Sequence, residues 1–408
     1  MNNSTRWMLP DGVDELLPSQ ARSLETVRRK ILDLFASHGF EKIQPPLIEF
    51  TDSLLIGLGE DVAKQSVHLT DQVSGKPMAI RADVSSQAAR IDAHSMRVEG
   101  VNRLCYVEPV VFSEPKMAGS SRSPLMAGAE VFGCGDSSAD IDVILLMLST
   151  LKVAEHSISQ RAQNNGSQSD NLELTLDLGH VGVGRLVIGL LEKNAVDAKD
   201  ILEIFDALQR KSIPDLTLLL EQTSLRQEII DLLLRLPKLS GGIEVLDNVS
   251  KELVLLGDSI GQIVAKIKHV ATTVSSCFPD VNIYCDLSES RGYSYHTGLV
   301  FAVYCDGAGE ALANGGRYDG VGKVFGRDRE ATGFNTDLKV LNRVFGPVVV
   351  KSNLPRVAAP PIEDKELWEA MKKLRAAGTC VVSVAKGELK RYSQVLRLVD
   401  GKWQVEKN

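Results

Sequence analysis

The sequence predicts an α+β protein in which a sheet flanked by helices is interrupted by a helical insertion and followed by a short α/β tail. Three observations carry this reading. Short β-branched and aromatic runs recur, among them V-N-I-Y-C-D-L at Val281–Leu287 and L-V-F-A-V-Y at Leu299–Tyr304. Nearly everything from Arg185 to Cys277 has helical spacing, broken at Pro214, Pro237 and Gly241-Gly242. The tail from Ile362 to Asn408 offers one helix, one strand and a hairpin at Asp400-Gly401. With 408 residues the chain has room for two or three compact units.

Apolar residues at 44% and charged residues at 24% are ordinary for a globular chain and exclude a disordered or fibrous one. The formal charge of −7 is spread along the sequence and argues against a large nucleic-acid surface. Six cysteines are scattered in apolar contexts and never form C-x-x-C, so zinc and redox motifs are disfavoured and reduced, buried thiols are expected. No metal site and no cofactor is expected. The N-terminus lacks an apolar core of signal-peptide length, and Val143–Leu148 is only six apolar residues long, so a cytoplasmic protein without membrane contact is expected.

In chain order, Leu9–Ala21 is turn-rich, and Ser19 is placed to cap a helix whose face is Leu24, Val27, Ile31, Leu34 and Phe35. Gly39 ends it. Phe40–Phe50 reads as a strand broken by Pro45-Pro46; proline cannot donate to a ladder, so the strand belongs at an edge, and a dimer seam is one use for it. Val67–Thr70 and Met78–Ile80 read as hairpin strands leading into R-A-D-V-S-S-Q-A-A-R-I at Arg81–Ile91, which opens a helix. There Asp83 and Ser85 are either its caps or groups aimed into a pocket.

Arg103–Val111 and Leu125–Gly133 are strand candidates separated by a polar loop with Lys116, Gly119 and Arg122. Glu130 lies inside the second, where an unpaired carboxylate is costly, so it requires a cationic or donor partner, structural or ligand. Ala139–His156 reads as a buried helix capped by Ser138 or Asp136, Ser157–Asp170 as a solvated loop, and Leu172–Leu178 as a strand turning into a helix through G-H-V-G-V-G. Arg329–Phe345 starts as a strand and becomes a helix, and Arg356–Pro361 reads as a linker.

Ser290–Phe301, S-R-G-Y-S-Y-H-T-G-L-V-F, joins two strands expected to pair. Arg291 offers a rigid donor fork for a carboxylate or phosphate, while Tyr295 and His296 flank a space suited to a flat polar ring; an ordinary hairpin fits the segment equally well. The following A-L-A-N-G-G-R-Y-D-G, with Gly315-Gly316, implies backbone that must approach something closely and favours a pocket wall.

Together these stretches resemble the class II histidyl-tRNA synthetase family across most of Leu9–Phe345. R-G-Y-S-Y-H-T-G at Arg291–Gly298 is similar to the family's histidine-pocket motif R-G-L-D-Y-Y-T-G, H-G-F-E-K-I-Q-P-P to motif 1, the dimer element, and Arg103–Gly133 to motif 2. The resemblance implies a dimeric, mainly antiparallel sheet of class II type in residues 1–345, interrupted by a helical insertion at 185–277, with a tail module at 356–408. It also implies a histidine pocket of Asp83, Ser85, Glu130, Arg291, Tyr295 and His296. Asp83 stands for a glutamate, Ser85 for a threonine, His296 for a tyrosine and Met126 for a glutamine.

Two departures decide the expected activity. Motif 2 F-R-Y-E falls on Val111-Phe112-Ser113-Glu114, and motif 3 G-L-E-R on Asp337-Leu338-Lys339-Val340, so both ATP-binding arginines are replaced. Losing one donor to a developing phosphoryl charge costs about 3 to 4 kcal/mol, or 10² to 10³ in rate. The residues after Pro361 are also too few for an anticodon-binding domain.

A synthetase body stripped in this way resembles the regulatory subunits of ATP phosphoribosyltransferase. R-A-D-V-S-S-Q-A-A-R-I-D-A-H at Arg81–His94, D-L-G-H-V-G at Asp177–Gly182 and S-Y-H-T-G at Ser294–Gly298 are close to that family's wording. The resemblance implies no catalytic residues and no activity of its own. It implies a short-form catalytic subunit as partner, homodimers within a hetero-octamer, and histidine as effector in the first step of histidine biosynthesis. An active histidyl-tRNA synthetase and a free-standing histidine-binding module are the rival readings.

Overall fold

The computed structural model describes residues 8–56, 63–117, 119–163, 172–247, 249–289, 292–293, 295–345 and 356–408. The chain divides into two compact units, residues 1–348 and 349–408.

The first unit begins with the helix Pro18–Ser37. Pro18 occupies its first turn, where the missing N–H costs nothing, so the helix starts one residue before the cap expected at Ser19. The amphipathic face is as read: Val27, Ile31 and Phe35 are buried.

The proline pair then splits the expected single strand into β1 (Glu41–Lys42) and β2 (Ile48–Phe50), which belong to different sheets. β3 (Val67–Thr70) and β4 (Pro77–Ile80) are the expected hairpin and pair with β2 in the order β2-β4-β3. Both pieces of the broken strand lie at sheet edges, as proline requires.

The main sheet adds β5 (Asn102–Pro109), β6 (Leu125–Phe132), β7 (Leu174–His180), β8 (Ser240–Gly241), β9 (Val281–Asp286), β10 (Leu299–Cys305), β11 (Ala313–Arg317) and β12 (Ala331–Asp337). Its order is β1-β5-β6-β12-β11-β10-β7-β9-β8. Pairing is antiparallel from β5 through to β7, with parallel pairs only at β1/β5 and β7/β9.

The expected hairpin of Val281–Leu287 with Leu299–Tyr304 does not form. β7 lies between the two strands, antiparallel to β10 and parallel to β9. Period-2 patterning marks strands but says nothing about which neighbour they take, and here a distant strand inserts between near ones.

The sheet has two distinct faces. Phe334 of β12, opposite Ala129, meets Phe35 of the first helix edge-on with ring centroids 6.0 Å apart. The long helix Ser137–Gln163 packs on this same side of the sheet against β12. The residues of opposite parity on β6, namely Met126, Gly128, Glu130 and Phe132, point to the other face. There Phe132 packs with Ala88, Ala89, Leu104 and Tyr318.

The long helix runs seven residues past His156, so the loop expected to begin at Ser157 does not start there; residues 164–171 lie outside the described ones. Its start is as read, with the Asp136 carboxylate accepting the Ser138 N–H at 2.8 Å. Residues 185–277 are mainly helical, with Ala198–Gln209, Ile213–Glu221, Gln227–Arg235 and Ser259–Cys277 as the main segments. The break at Gly241-Gly242 contains a surprise: Ser240–Gly241 is β8, an edge strand on β9. Among the six cysteines, Cys105, Cys285 and Cys305 are buried, but Cys277 is exposed. Among the described residues no helix is long and apolar enough to cross a membrane.

The second unit is a four-stranded sheet of β13 (Arg356–Ala359), β14 (Cys380–Ser383), β15 (Gln394–Val399) and β16 (Lys402–Lys407), ordered β14-β13-β15-β16. The segment expected to be a linker is therefore β13, an inner strand. Val357 and Ala359 pack with Leu367, Met371, Val381 and Leu396 against the helix Lys365–Ala376. Asp364 caps that helix, accepting the Leu367 N–H at 2.6 Å. The Asp400-Gly401 turn has φ of 47° and 73°, the pair of left-handed values that a tight two-residue hairpin demands.

Candidate functional site

The second face of the main sheet carries a cavity of about 330 Å³. Asp83, Ser85, Glu130, Tyr295 and His296 all line it. Arg291, with Ser290 and Ser294, lies outside the described residues.

Glu130 is the centre of the site. It is 1% exposed, on β6, and its two carboxylate oxygens accept from the hydroxyls of Tyr106 at 3.1 Å and Tyr318 at 2.6 Å. Its partners are therefore neutral donors, and burial raises its pKa to about 8 even though the tyrosine and Ser85 hydroxyls act the other way. Gly333 stands directly opposite on β12, where a Cβ would lie 1.6 Å from the Glu130 Oε2. Only glycine leaves room for this carboxylate.

Asp83 combines the two roles that its sequence context left open. Its carboxylate accepts the Ser86 N–H at 3.2 Å at the start of the helix Ser85–Arg90, and also the Ser85 hydroxyl at 3.3 Å, while lining the cavity. Burial pushes its pKa up. Ser85 in turn lies 3.3 Å from the Tyr106 hydroxyl, so Asp83, Ser85, Tyr106 and Glu130 form one continuous line of polar contacts.

Aromatic rings build the floor. Tyr295 stacks on Tyr318 with centroids 5.1 Å apart and meets His296 edge-on at 5.3 Å. The Tyr295 hydroxyl is buried without a hydrogen-bond partner among the described residues. His296 is held by its backbone: its N–H donates to the Gly292 carbonyl at 2.7 Å, and its carbonyl accepts from Arg185 at 2.7 Å. The Gly315-Gly316 pair explains itself here, because a Cβ on Gly316 would meet the His296 ring at 2.7 Å.

Phe112 and Val340, which stand where the synthetase motifs carry arginine, line the same cavity, as does Met126. Phe112 is 4% exposed and packs with Ala82, Val84, Tyr106 and Val110. The described residues that sequence reasoning missed are Tyr106, Tyr318 and Lys116. Register exposes the first: Tyr106 sits opposite Gly128, two residues along the strand from Glu130 and on the same face. Tyr318 follows the glycine pair by two positions, and nothing in its local pattern marks it.

Arg81 supports the wall behind Asp83. It is 1% exposed, and its guanidinium donates to the carbonyls of Pro45 at 2.9 Å and Pro109 at 2.8 Å and to the Glu108 carboxylate at 3.1 Å. It thereby ties the proline break, the end of β5 and the turn into the pocket helix together.

Residues 12–341 match the histidyl-tRNA synthetase family, and residues 355–406 match the C-terminal domain of the ATP phosphoribosyltransferase subunit HisZ. The chain is 39% identical over 406 residues to an ATP phosphoribosyltransferase regulatory subunit of Ectopseudomonas mendocina, covering 98% of each. It is 38% identical to that of Cellvibrio japonicus, covering 99% of this chain and 98% of the relative. Among solved structures, an ATP phosphoribosyltransferase regulatory subunit/histidyl-tRNA synthetase from Bacillus halodurans superposes with a TM-score of 0.78 at 22% identity, covering 95% of this chain and 97% of the other. A histidyl-tRNA synthetase from Nostoc sp. superposes with a TM-score of 0.70 at 17% identity, covering 98% and 97%. These structures share the class II synthetase-like fold described above. A synthetase-type body whose ATP-arginine positions are apolar, continued by a HisZ-type C-terminal unit and matched over its whole length, belongs to the ATP phosphoribosyltransferase regulatory subunit family.

Proposed function

We propose that this regulatory subunit of histidine biosynthesis activates a short-form ATP phosphoribosyltransferase catalytic subunit and carries histidine feedback to it from the cavity around Glu130. The observation that carries the proposal is the contrast within one cavity. Phe112 and Val340 leave the phosphate half without its guanidinium groups, while Asp83, Ser85, Glu130, Tyr295 and His296 keep the amino-acid half polar. A fold in that state binds without activating.

Histidine suits the polar half. Its ammonium group meets Asp83 and Ser85, and its imidazole meets Glu130 and the Tyr295 hydroxyl. Leaving that hydroxyl unpaired costs about 1 to 3 kcal/mol, which a ligand atom would offset. Feedback then follows by linkage: histidine shifts the partner's equilibrium only through its different affinity for two states, and a coupling of about 1 to 3 kcal/mol is typical. The assembly proposed is a hetero-octamer containing dimers of this chain. Support for a seam comes from the edge strand β2, where Ile48 and Phe50 are exposed together with Leu47 just before it.

The test is calorimetry in the complex with the catalytic subunit. Glu130→Ala and Arg291→Ala are each expected to weaken histidine binding; unchanged affinity in both variants moves the effector site elsewhere.

A further inference from the structure

The loop between β5 and β6 holds a cation that the proposed function has not used. Lys116 lines the cavity, and its ammonium sits 4.4 Å from the ring centroid of Phe112. The aromatic that replaces the lost arginine therefore serves as a platform for a positive charge arriving from four residues further on. Among the described residues Lys116 has no ion-pair partner, and the burial around its ammonium pushes its pKa down while Asp83, Asp337 and Glu310 act in the opposite sense across the cavity.

The other charged groups of the cavity wall divide cleanly. Glu310 is paired with Arg343. Asp337 caps the helix Leu338–Val344, accepting N–H groups from Lys339 at 2.9 Å and Leu125 at 3.2 Å. What remains among the described residues is a carboxyl pair, Asp83 and Glu130, linked by contacts through Ser85 and Tyr106, and a single ammonium beyond ion-pair distance from both.

Among the described lining residues that lone ammonium, with no guanidinium beside it, is too little to hold the multiple negative charges of a triphosphate. It does suit a zwitterion. We propose that Lys116 anchors the α-carboxylate of the amino acid bound in this cavity and so makes the site selective for an amino acid over the corresponding amine. The proposal rests on the cavity being the histidine site and adds to it a described residue that reads the carboxylate.

The test compares L-histidine with histamine, which lacks only the carboxylate, by calorimetry on the full chain and on its complex with the catalytic subunit. Lys116→Met is expected to weaken histidine binding about 10- to 100-fold, the range for a lost hydrogen bond to a charged group, and to leave histamine affinity unchanged. Retained histamine binding also shows that the variant pocket is folded. Lys116→Arg is expected to keep most of the preference for histidine. A Lys116→Met protein that still prefers histidine as strongly as the wild type overturns the role of Lys116 and leaves the pocket reading standing. Wild-type protein that binds neither compound, alone or in complex, overturns the pocket reading and this proposal with it.

Discussion

At the scale of single residues, the site is built around a carboxylate that folding makes hard to ionise. The folded-state pKa of Glu130 is about 8, whereas an unfolded glutamate titrates near 4.5. Between these values the folded chain holds the proton more tightly than the unfolded one, so this group's contribution to stability is present at low pH and is lost as pH rises through the folded value. Glu130→Gln removes the titration. Relative to the wild type, the variant is therefore expected to gain about 1 kcal/mol per pH unit between roughly pH 5 and 8, read as the difference between their denaturant midpoints; parallel pH profiles would show that Glu130 is not the titrating group. Asp337, raised to about 6 by burial, acts in the same direction but only at lower pH.

Gly333→Ala tests the same carboxylate from the facing strand. With a Cβ 1.6 Å from Oε2, the Glu130 side chain must leave Tyr318, and overpacking together with the broken bond should cost about 3 kcal/mol. Urea unfolding measures it, and a cost below about 1 kcal/mol would mean that the carboxylate moves freely.

The chemistry of this cavity was readable in part from residue type alone. A glutamate inside an apolar strand and a glycine pair beside a Tyr-His segment both point to a close-packed polar site, and the structure brings them together. Tyr106 and Tyr318 were not readable as partners of Glu130, because hydrogen bonds across a sheet depend on register, which single-strand patterns leave open.

At the scale of elements, Arg81 is the part on which the pocket wall depends. Its guanidinium serves two proline carbonyls and Glu108 from different segments. Arg81→Ala strands a buried carboxylate and several carbonyls, so a loss of about 3 to 5 kcal/mol is expected in equilibrium unfolding. Arg81→Lys should recover little of it, since an ammonium cannot reproduce the planar fork. Near wild-type stability for either variant would show the wall to be held by packing instead.

Element types followed from local pattern where caps and breakers were explicit, as at Pro45-Pro46, Asp136 and Asp400-Gly401. Pattern failed where the deciding contact was remote. Arg356–Pro361, a short apolar run closed by prolines, reads as a linker because nothing nearby reveals that β14 and β15 flank it. In the same way β7 comes between β9 and β10, and β8 adds an edge out of a segment patterned as helix breaker.

At the scale of the whole molecule, the proposed function is that of a synthetase fold that keeps an amino-acid cavity, lacks a grip on ATP and has turned to regulation. The proposed dimer seam makes one prediction here: Phe50→Asp, on the exposed edge strand β2, should shift sedimentation of the isolated chain toward the monomer, and an unchanged profile would place the seam elsewhere. The most direct measurement of the central claim is the turnover of a short-form ATP phosphoribosyltransferase catalytic subunit with and without this chain, run beside histidine- and ATP-dependent pyrophosphate exchange by the chain alone. The account predicts that adding the chain raises turnover and that no exchange occurs. Unchanged turnover accompanied by pyrophosphate exchange would contradict it.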